Sequence, residues 1–167
     1  MAPNPATDFS IQNYLPVLAT AYGEGANQSY EAKRQILSTI LNRAESGKAE
    51  FGAESGKITD VLKHGYYAYS NQSEKFKEAM SQKFPDKASE DSYKQFMQIL
   101  SGMLKGNVKR SDALFFLTPK EAEAQKKAFT ESKGKRGMNM DLLQKVDQPG
   151  DHIFFKYKDA PVKKVKK

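Results

Sequence analysis

Ala19-Thr20-Ala21-Tyr22-Gly23-Glu24-Gly25 runs into a polar turn, Ala26-Asn27-Gln28, and then into a long periodic segment from Ser29 to Asn42-Arg43. Small and apolar residues lead up to Glu24, and a glycine flanks that carboxylate on each side. Pro16 suits the first turn of a helix, where its missing N–H removes no bond. The predicted helix carries Val17, Leu18, Ala21 and Tyr22 inward and stops at Gly23-Glu24-Gly25. Ser29 as a capping hydroxyl, with Glu31 in the first turn, starts the next helix. Ala32, Ile36, Ile40 and Ala44, with Leu37 and Leu41 beside them, form one apolar stripe, and Gly47 ends it. This second helix reads as the central packing element. A lone acid at a helix end, uncrowded by its neighbours, is one way for a chain to present a proton donor.

Working outward, residues 1–7 with two prolines read as a flexible lead, and Thr7 or Asp8 as the cap of a short turn through Phe9, Ile11 and Gln12. Residues 48–57 read as a polar loop and Ile58 to Leu62 as a short helix. His64-Gly65-Tyr66-Tyr67-Ala68-Tyr69-Ser70-Asn71-Gln72 is an aromatic loop without helical period. A helix over 72–84 follows from Phe76, Met80 and Phe84, and Pro85-Asp86 breaks it. Ser89 is expected to cap a strong helix that carries Tyr93, Phe96, Met97, Leu100, Met103 and Leu104 on one side and closes at Gly106. Ala113-Leu114-Phe115-Phe116-Leu117 has strand length, and Pro119 with Glu121 and Glu123 opens a helix to about Glu131. Lys133-Gly134-Lys135-Arg136-Gly137 is a basic loop, residues 138–146 read as a short helix, and His152-Ile153-Phe154-Phe155-Lys156-Tyr157 as a half-buried strand. The fold class is α+β, mostly α, with a small β hairpin or sheet. One domain, 1–157, is expected, with residues 158–167 as a basic disordered tail.

With 167 residues and 18 aromatic side chains, the chain can bury a core without metals or disulfides. The absence of cysteine excludes disulfides, thiolate metal sites and cysteine nucleophiles. Two histidines, His64 and His152, lie in no cluster of ligand spacing, so neither a metal nor another cofactor is expected. The net charge of +7 is uneven. Residues 1–100 carry 11 Lys+Arg against 12 Asp+Glu, and residues 101–167 carry 16 against 8. The basic half reads either as a surface drawn to a polyanion (nucleic acid, an anionic envelope polymer or a membrane surface) or as a solvated basic face with a solubilising tail. The start, Met1-Ala2-Pro3-Asn4-Pro5, has no signal-peptide pattern, and no stretch approaches the roughly 20 apolar residues of a membrane helix. No nucleophile elbow or phosphate loop is present.

Five pieces recur in a meaningful order: Tyr22-Gly23-Glu24, Asn42-Arg43, Tyr69-Ser70, Ala113-Leu114-Phe115-Phe116 with Pro119, and Gly150-Asp151-His152-Ile153-Phe154. Over about residues 15–157 this order resembles the SleB-like cell wall hydrolases, the spore-cortex and peptidoglycan-lytic domains with a lysozyme-like fold (goose-type lysozyme and lytic transglycosylase). Two features depart from that pattern: no tryptophan follows the Phe-x-x-Pro segment, and Tyr-Tyr-Ala-Tyr stands where the family has Gln-Phe.

The resemblance implies that Glu24 is the catalytic acid. It implies substrate-binding roles for Tyr22, Tyr67, Tyr69, Ser70, Asn71, Phe116 and His152. Tyrosines stack on sugar faces, at least one of Tyr66, Tyr67 and Tyr69 being a core residue, and Ser70 and Asn71 bond to hydroxyl or N-acetyl groups. His152 also reads as a structural histidine. A glycosidic oxygen leaves only when protonated, and packing against Tyr22 is expected to help Glu24 hold its proton. Asp60, Asp112 and Asp151 lack a comparable context, which favours a lytic transglycosylase, where one carboxyl acts as acid and then base, over a two-carboxylate hydrolase. The implied partners are peptidoglycan glycan strands and, through the basic half, anionic envelope polymers. A wall substrate without a signal peptide points to a phage endolysin or virion-associated lysin, held in the host cytoplasm or virion before it acts. The reading from another class is a non-enzymatic basic virion structural or nucleic-acid-binding protein.

Overall fold

The computed structural model describes residues 14–158. The expected lead at 1–7, the turn through Phe9 to Gln12 and all but the first residue of the basic tail lie outside the described residues. The chain is mostly helical with a small three-stranded antiparallel sheet. It divides into two compact units at Asp112/Ala113, where the sequence shows no second core, and each is described by itself.

The first unit is helical. Its helices are α1 (Leu15–Gly25), α2 (Tyr30–Ser46), α3 (Ile58–Gly65), α4 (Tyr67–Ser70), α5 (Glu74–Ser81) and α6 (Lys87–Lys105). The central element is α1, not α2: it packs against each of the other five helices, most extensively against α5. Every residue from Val17 to Tyr22 is buried, polar Thr20 included, because its hydroxyl donates to Pro16 O at 2.7 Å. A helix apolar all round is a buried helix, so the absence of a polar face in Leu15–Tyr22 was the relevant signal. The second helix does begin at Ser29, whose hydroxyl accepts from Ala32 N, and it ends at left-handed Gly47.

The polar side chains of α2 are also buried: Lys33, Gln35, Ser38 and Thr39. The segment before the unit boundary satisfies two of them. Ser111 N donates to Ser38 Oγ at 3.1 Å, and Ser111 Oγ donates to Gln35 Oε1. Asn42 Nδ2 donates to Ser111 O at 2.8 Å, and Arg34 to Lys109 O at 2.8 Å. Buried polar groups thus keep partners, as their desolvation demands.

Three local expectations are corrected. The aromatic loop contains one helical turn, α4, closed by Ser70 N to Tyr66 O and Asn71 N to Tyr67 O. Helix α5 ends at Ser81, with Gln82 in the left-handed region, so Phe84 lies beyond it and reaches the core by packing on Tyr22 and Tyr93. The cap of α6 is Asp86 rather than Ser89: the Asp86 carboxylate accepts from Ser89 N at 2.7 Å, which makes Ser89 the third residue of the helix.

The second unit holds β1 (Phe115–Leu117), α7 (Pro119–Glu131), β2 (Leu143–Asp147) and β3 (Ile153–Tyr157) in strand order β1-β3-β2. Phe115 pairs with Phe155, Phe116 with Phe154 and Leu117 with Ile153. Helix α7 opens with a complete capping box, Thr118 accepting from Glu121 N and Glu121 from Thr118 N. The short helix expected over 138–146 is instead a 3-10 turn (Met140–Leu142) leading into β2. Leu143 and Lys145 pair with Tyr157 and Phe155, a long-range partnership that overrides local helical propensity.

Accepting the Ser89 N–H holds the Asp86 carboxyl below its ordinary 3.8. A depressed folded-state value means that this contribution is complete above the unfolded value and fades as pH falls through the folded one. The unfolding free energy of wild type should therefore drop more steeply below pH 4 than that of Asp86→Asn, measured by urea titration between pH 2 and 6.

Candidate active site

Glu24 stands in the last turn of α1, half-buried. Its Oε1 accepts the backbone N–H of Ala68 at 2.9 Å. Ala68 is the second residue of α4, and Tyr66, at the cap position, supplies no side-chain acceptor. Glu24 therefore caps α4 from a different helix, satisfying one of its otherwise unpartnered N–H groups.

The flanking glycines make this approach possible. A Cβ on Gly23 would lie 2.5 Å from the Ala68 Cβ and 3.1 Å from Ser73 Oγ. One on Gly25 would collide with Ile36 Cδ1. Neither glycine has positive φ, so both serve close packing rather than a special backbone conformation. Their value is contact with α4 and α2, where the sequence suggests only open space around the acid.

Tyr22 does not accompany Glu24. Two residues along a helix is a rotation of about 200°, so the two side chains leave opposite sides of α1. Tyr22 is fully buried, its hydroxyl donates to Glu78 Oε2 at 2.8 Å, and its ring meets Phe84 and Tyr93 edge-on at 5.7 and 6.0 Å. The substrate-binding role expected of Tyr22 is corrected: it is a core residue without a face for a sugar. Burial, helped by Glu78, pushes its hydroxyl above the ordinary tyrosine value.

The tyrosine on the Glu24 side is Tyr66. It is 2 % exposed, its hydroxyl shares a 2.9 Å hydrogen bond with Thr39 Oγ1, and the Arg43 guanidinium lies 5.0 Å from its ring centroid. Burial raises its pKa against the opposing pull of Arg43, and the charge of Glu24 adds to the rise, so the phenol stays neutral. Arg43 also covers Phe51 at 5.1 Å, and a Cβ on Gly65 would run into its guanidinium. Asn42 and Arg43, read from sequence as a pair, thus do different work, one holding the 106–112 segment and the other roofing Tyr66. The involvement of Tyr66 near Glu24, with Arg43 over its ring, was not legible in spacing, since tertiary packing alone brings Tyr66 to each of them.

The remaining candidates divide by unit. Tyr67 is 70 % exposed, a free aromatic surface one residue before Ala68. Tyr69 is half-buried with its ring edge-on to Phe76 at 5.6 Å. Ser70 Oγ donates to Lys63 O at 2.8 Å and Asn71 Nδ2 to Tyr67 O at 3.2 Å, so both side chains help close the turn. Asp60 accepts from Ser55 Oγ at 2.6 Å within its own loop. In the second unit, Phe116 meets His152 edge-on at 5.2 Å, and Nδ1 of His152 is buried with no hydrogen-bond partner among the described residues. Two hollows stand out: one of 530 Å³ in the first unit beside Ala26–Gln28, and one of 340 Å³ in the second beside Phe129 and Met140. Glu24 lines neither. Among the described residues no three His, Asp or Glu side chains gather as a metal site requires, and no helix is long and apolar enough to cross a membrane. No family profile, curated protein or solved structure matches this chain.

Glu24 is thus both a cap and a candidate acid, and two substitutions separate these roles. Glu24→Ala removes the acceptor of Ala68 N–H and should lower stability by about 1 kcal/mol, the typical cost of a lost cap. Glu24→Gln keeps a carbonyl oxygen in place and should lie within about 0.5 kcal/mol of wild type. Chemical denaturation of the three proteins side by side measures both differences.

Proposed function

We propose that this chain is a peptidoglycan-cleaving enzyme of lysozyme-like architecture, acting on the MurNAc–GlcNAc backbone as a lytic transglycosylase. The observation that carries the proposal is the setting of Glu24: one carboxyl, half-buried, clamped to the Ala68 amide at the end of the most buried helix, beside neutral Tyr66. A rigid acid on a packed helix is what proton transfer to a glycosidic oxygen requires. The order of motifs in the sequence supplies the substrate class.

In this mechanism the Glu24 carboxyl gives its proton to the oxygen that links MurNAc C1 to GlcNAc. The C1–O bond breaks with its electron pair going to that oxygen, leaving positive charge at C1. The Glu24 carboxylate then takes the proton of the muramyl C6 hydroxyl as O6 bonds to C1, which closes a 1,6-anhydro ring and restores the carboxyl. Exposed Tyr67, next to Ala68, is the side chain best presented to stack on a sugar ring. Phe116 and His152 enter the proposal through resemblance alone. A phage lysin, acting on the wall after release, would meet this substrate.

The charge of residues 101–167, 16 Lys+Arg against 8 Asp+Glu, favours a second reading, a basic nucleic-acid-binding or virion structural protein. Steeply salt-dependent DNA binding without wall cleavage would establish it.

Purified peptidoglycan digested by wild type should release muropeptides one water lighter than reducing ends, and Glu24→Gln should lose activity at least about a hundredfold. Equal activity of the two proteins, or an inactive wild type, would overturn the proposal. A normal reducing end would replace the transglycosylase with a hydrolase.

A further inference from the structure

The 530 Å³ hollow of the first unit is lined by neither Glu24 nor Ala68, and no step of the proposed mechanism uses it. Its wall is the turn itself, the first turns of α2 and the amino-terminal half of α6. The turn is pinned to α6 by Ser92, whose hydroxyl donates to Ala26 O. Amide side chains dominate the lining: Asn27, Gln28, Gln95 and Gln98.

Lys33 is the unusual member. It is 4 % exposed, yet carries an ammonium group with three N–H donors. One donates to Gln95 Oε1 at 2.7 Å, and the group sits 5.3 Å from the Phe96 ring centroid. No carboxylate pairs with it among the described residues. The two other charged lining residues are answered along their own helix, Asp91 by Lys87 and Lys94 by Glu90, each at 3.4 Å. Withdrawal of Lys33 from water lowers its pKa. A cation held out of water on one neutral acceptor and a ring face is costly, and an anion reaching it from the hollow removes much of that cost.

We propose that this hollow binds a carboxylate borne by a hydroxyl- and amide-rich molecule, with the carboxylate on the Lys33 ammonium. A single uncompensated positive charge matches a monoanion, while a dianion would set surplus negative charge near Asp91. The bond from Lys33 commits the oxygen of Gln95, leaving its NH2 as a donor, and Asn27 and Gln98 stand exposed at the rim for hydroxyl or acetamido groups. Naming the carrier rests on the peptidoglycan reading: N-acetylmuramic acid joins a lactyl carboxylate to an acetamido sugar, and N-acetylglucosamine is the matched sugar without the carboxylate.

The test is binding, measured on full-length Glu24→Gln by calorimetry and by amide chemical shifts, so it does not depend on cleavage. N-acetylmuramic acid should bind roughly tenfold or more tighter than N-acetylglucosamine, the size of one charge-assisted hydrogen bond, with shifts centred on Lys33 and Gln95. Adding Lys33→Met should erase the difference, and Lys33→Arg should restore part of it. The rim pair Asn27→Ala with Gln98→Ala, which leaves the buried lysine alone, should weaken binding severalfold and keeps the question answerable if Lys33→Met fails to fold. Equal binding of the two sugars, undiminished binding by Lys33→Met, or shifts centred elsewhere would each overturn the site, whatever the wild type does to the wall.

Discussion

The contact between Gly23 and Ala68, with the Ala68 amide bonded to Glu24 Oε1, organises the first unit. Helix α1 is buried along most of its length, so its position is set from several sides at once. At its end the chain must stop a helix, start α4 and place a carboxylate, all within one layer of packing. A side chain at residue 23 would push α4 away, and with it the N–H that holds the acid. The two glycines therefore act through volume. Glu24 gains rigidity from a bond that also gives it a structural duty, and a carboxylate at a helix C-terminus needs such a bond because the dipole there offers none.

The interior around this contact is more polar than an apolar stripe implies. Lys33, Gln35, Ser38 and Thr39 all lie on buried faces of α2, and each finds a partner outside α2: Gln95 of α6, Ser111 for two of them, and Tyr66. Such networks tie α2 to its neighbours with directional bonds as well as with Ile36 and Ile40. They also create asymmetry. The side of α2 that meets α3 ends in a neutral phenol under a guanidinium, whereas the side that meets α6 carries a lysine that lines a hollow. One helix thereby contributes to two chemically different environments.

Much of the fold could be read directly. Ser29 and Gly47 bound α2, Pro119 opens α7 and Glu131 closes it, and the run from Ile153 to Tyr157 is a strand, because caps, breakers and alternation act over a few residues. The misread segments share one cause, competition from distant partners. Residues 143–147 take the edge of β3 instead of a helix, and the aromatic loop gains a helical turn whose Ala68 N–H is satisfied from Glu24. At the candidate site, Glu24 was legible from its flanking glycines, but Tyr22 was assigned to the wrong side because a stretch of letters conceals the 100° turn per residue.

By itself the sequence determined the bounds of α2 and α7, the two chief strands, the uneven charge and Glu24 as an acid in the last turn of a helix. Those features depend on local backbone preferences and on counts of residues. Only the tertiary structure decided that α1 is the hub, that Tyr66 rather than Tyr22 stands near the acid, and that Lys33 is buried with no carboxylate paired to it among the described residues. Each depends on which residues far apart in the chain exclude water from one another, and that is settled by packing in three dimensions.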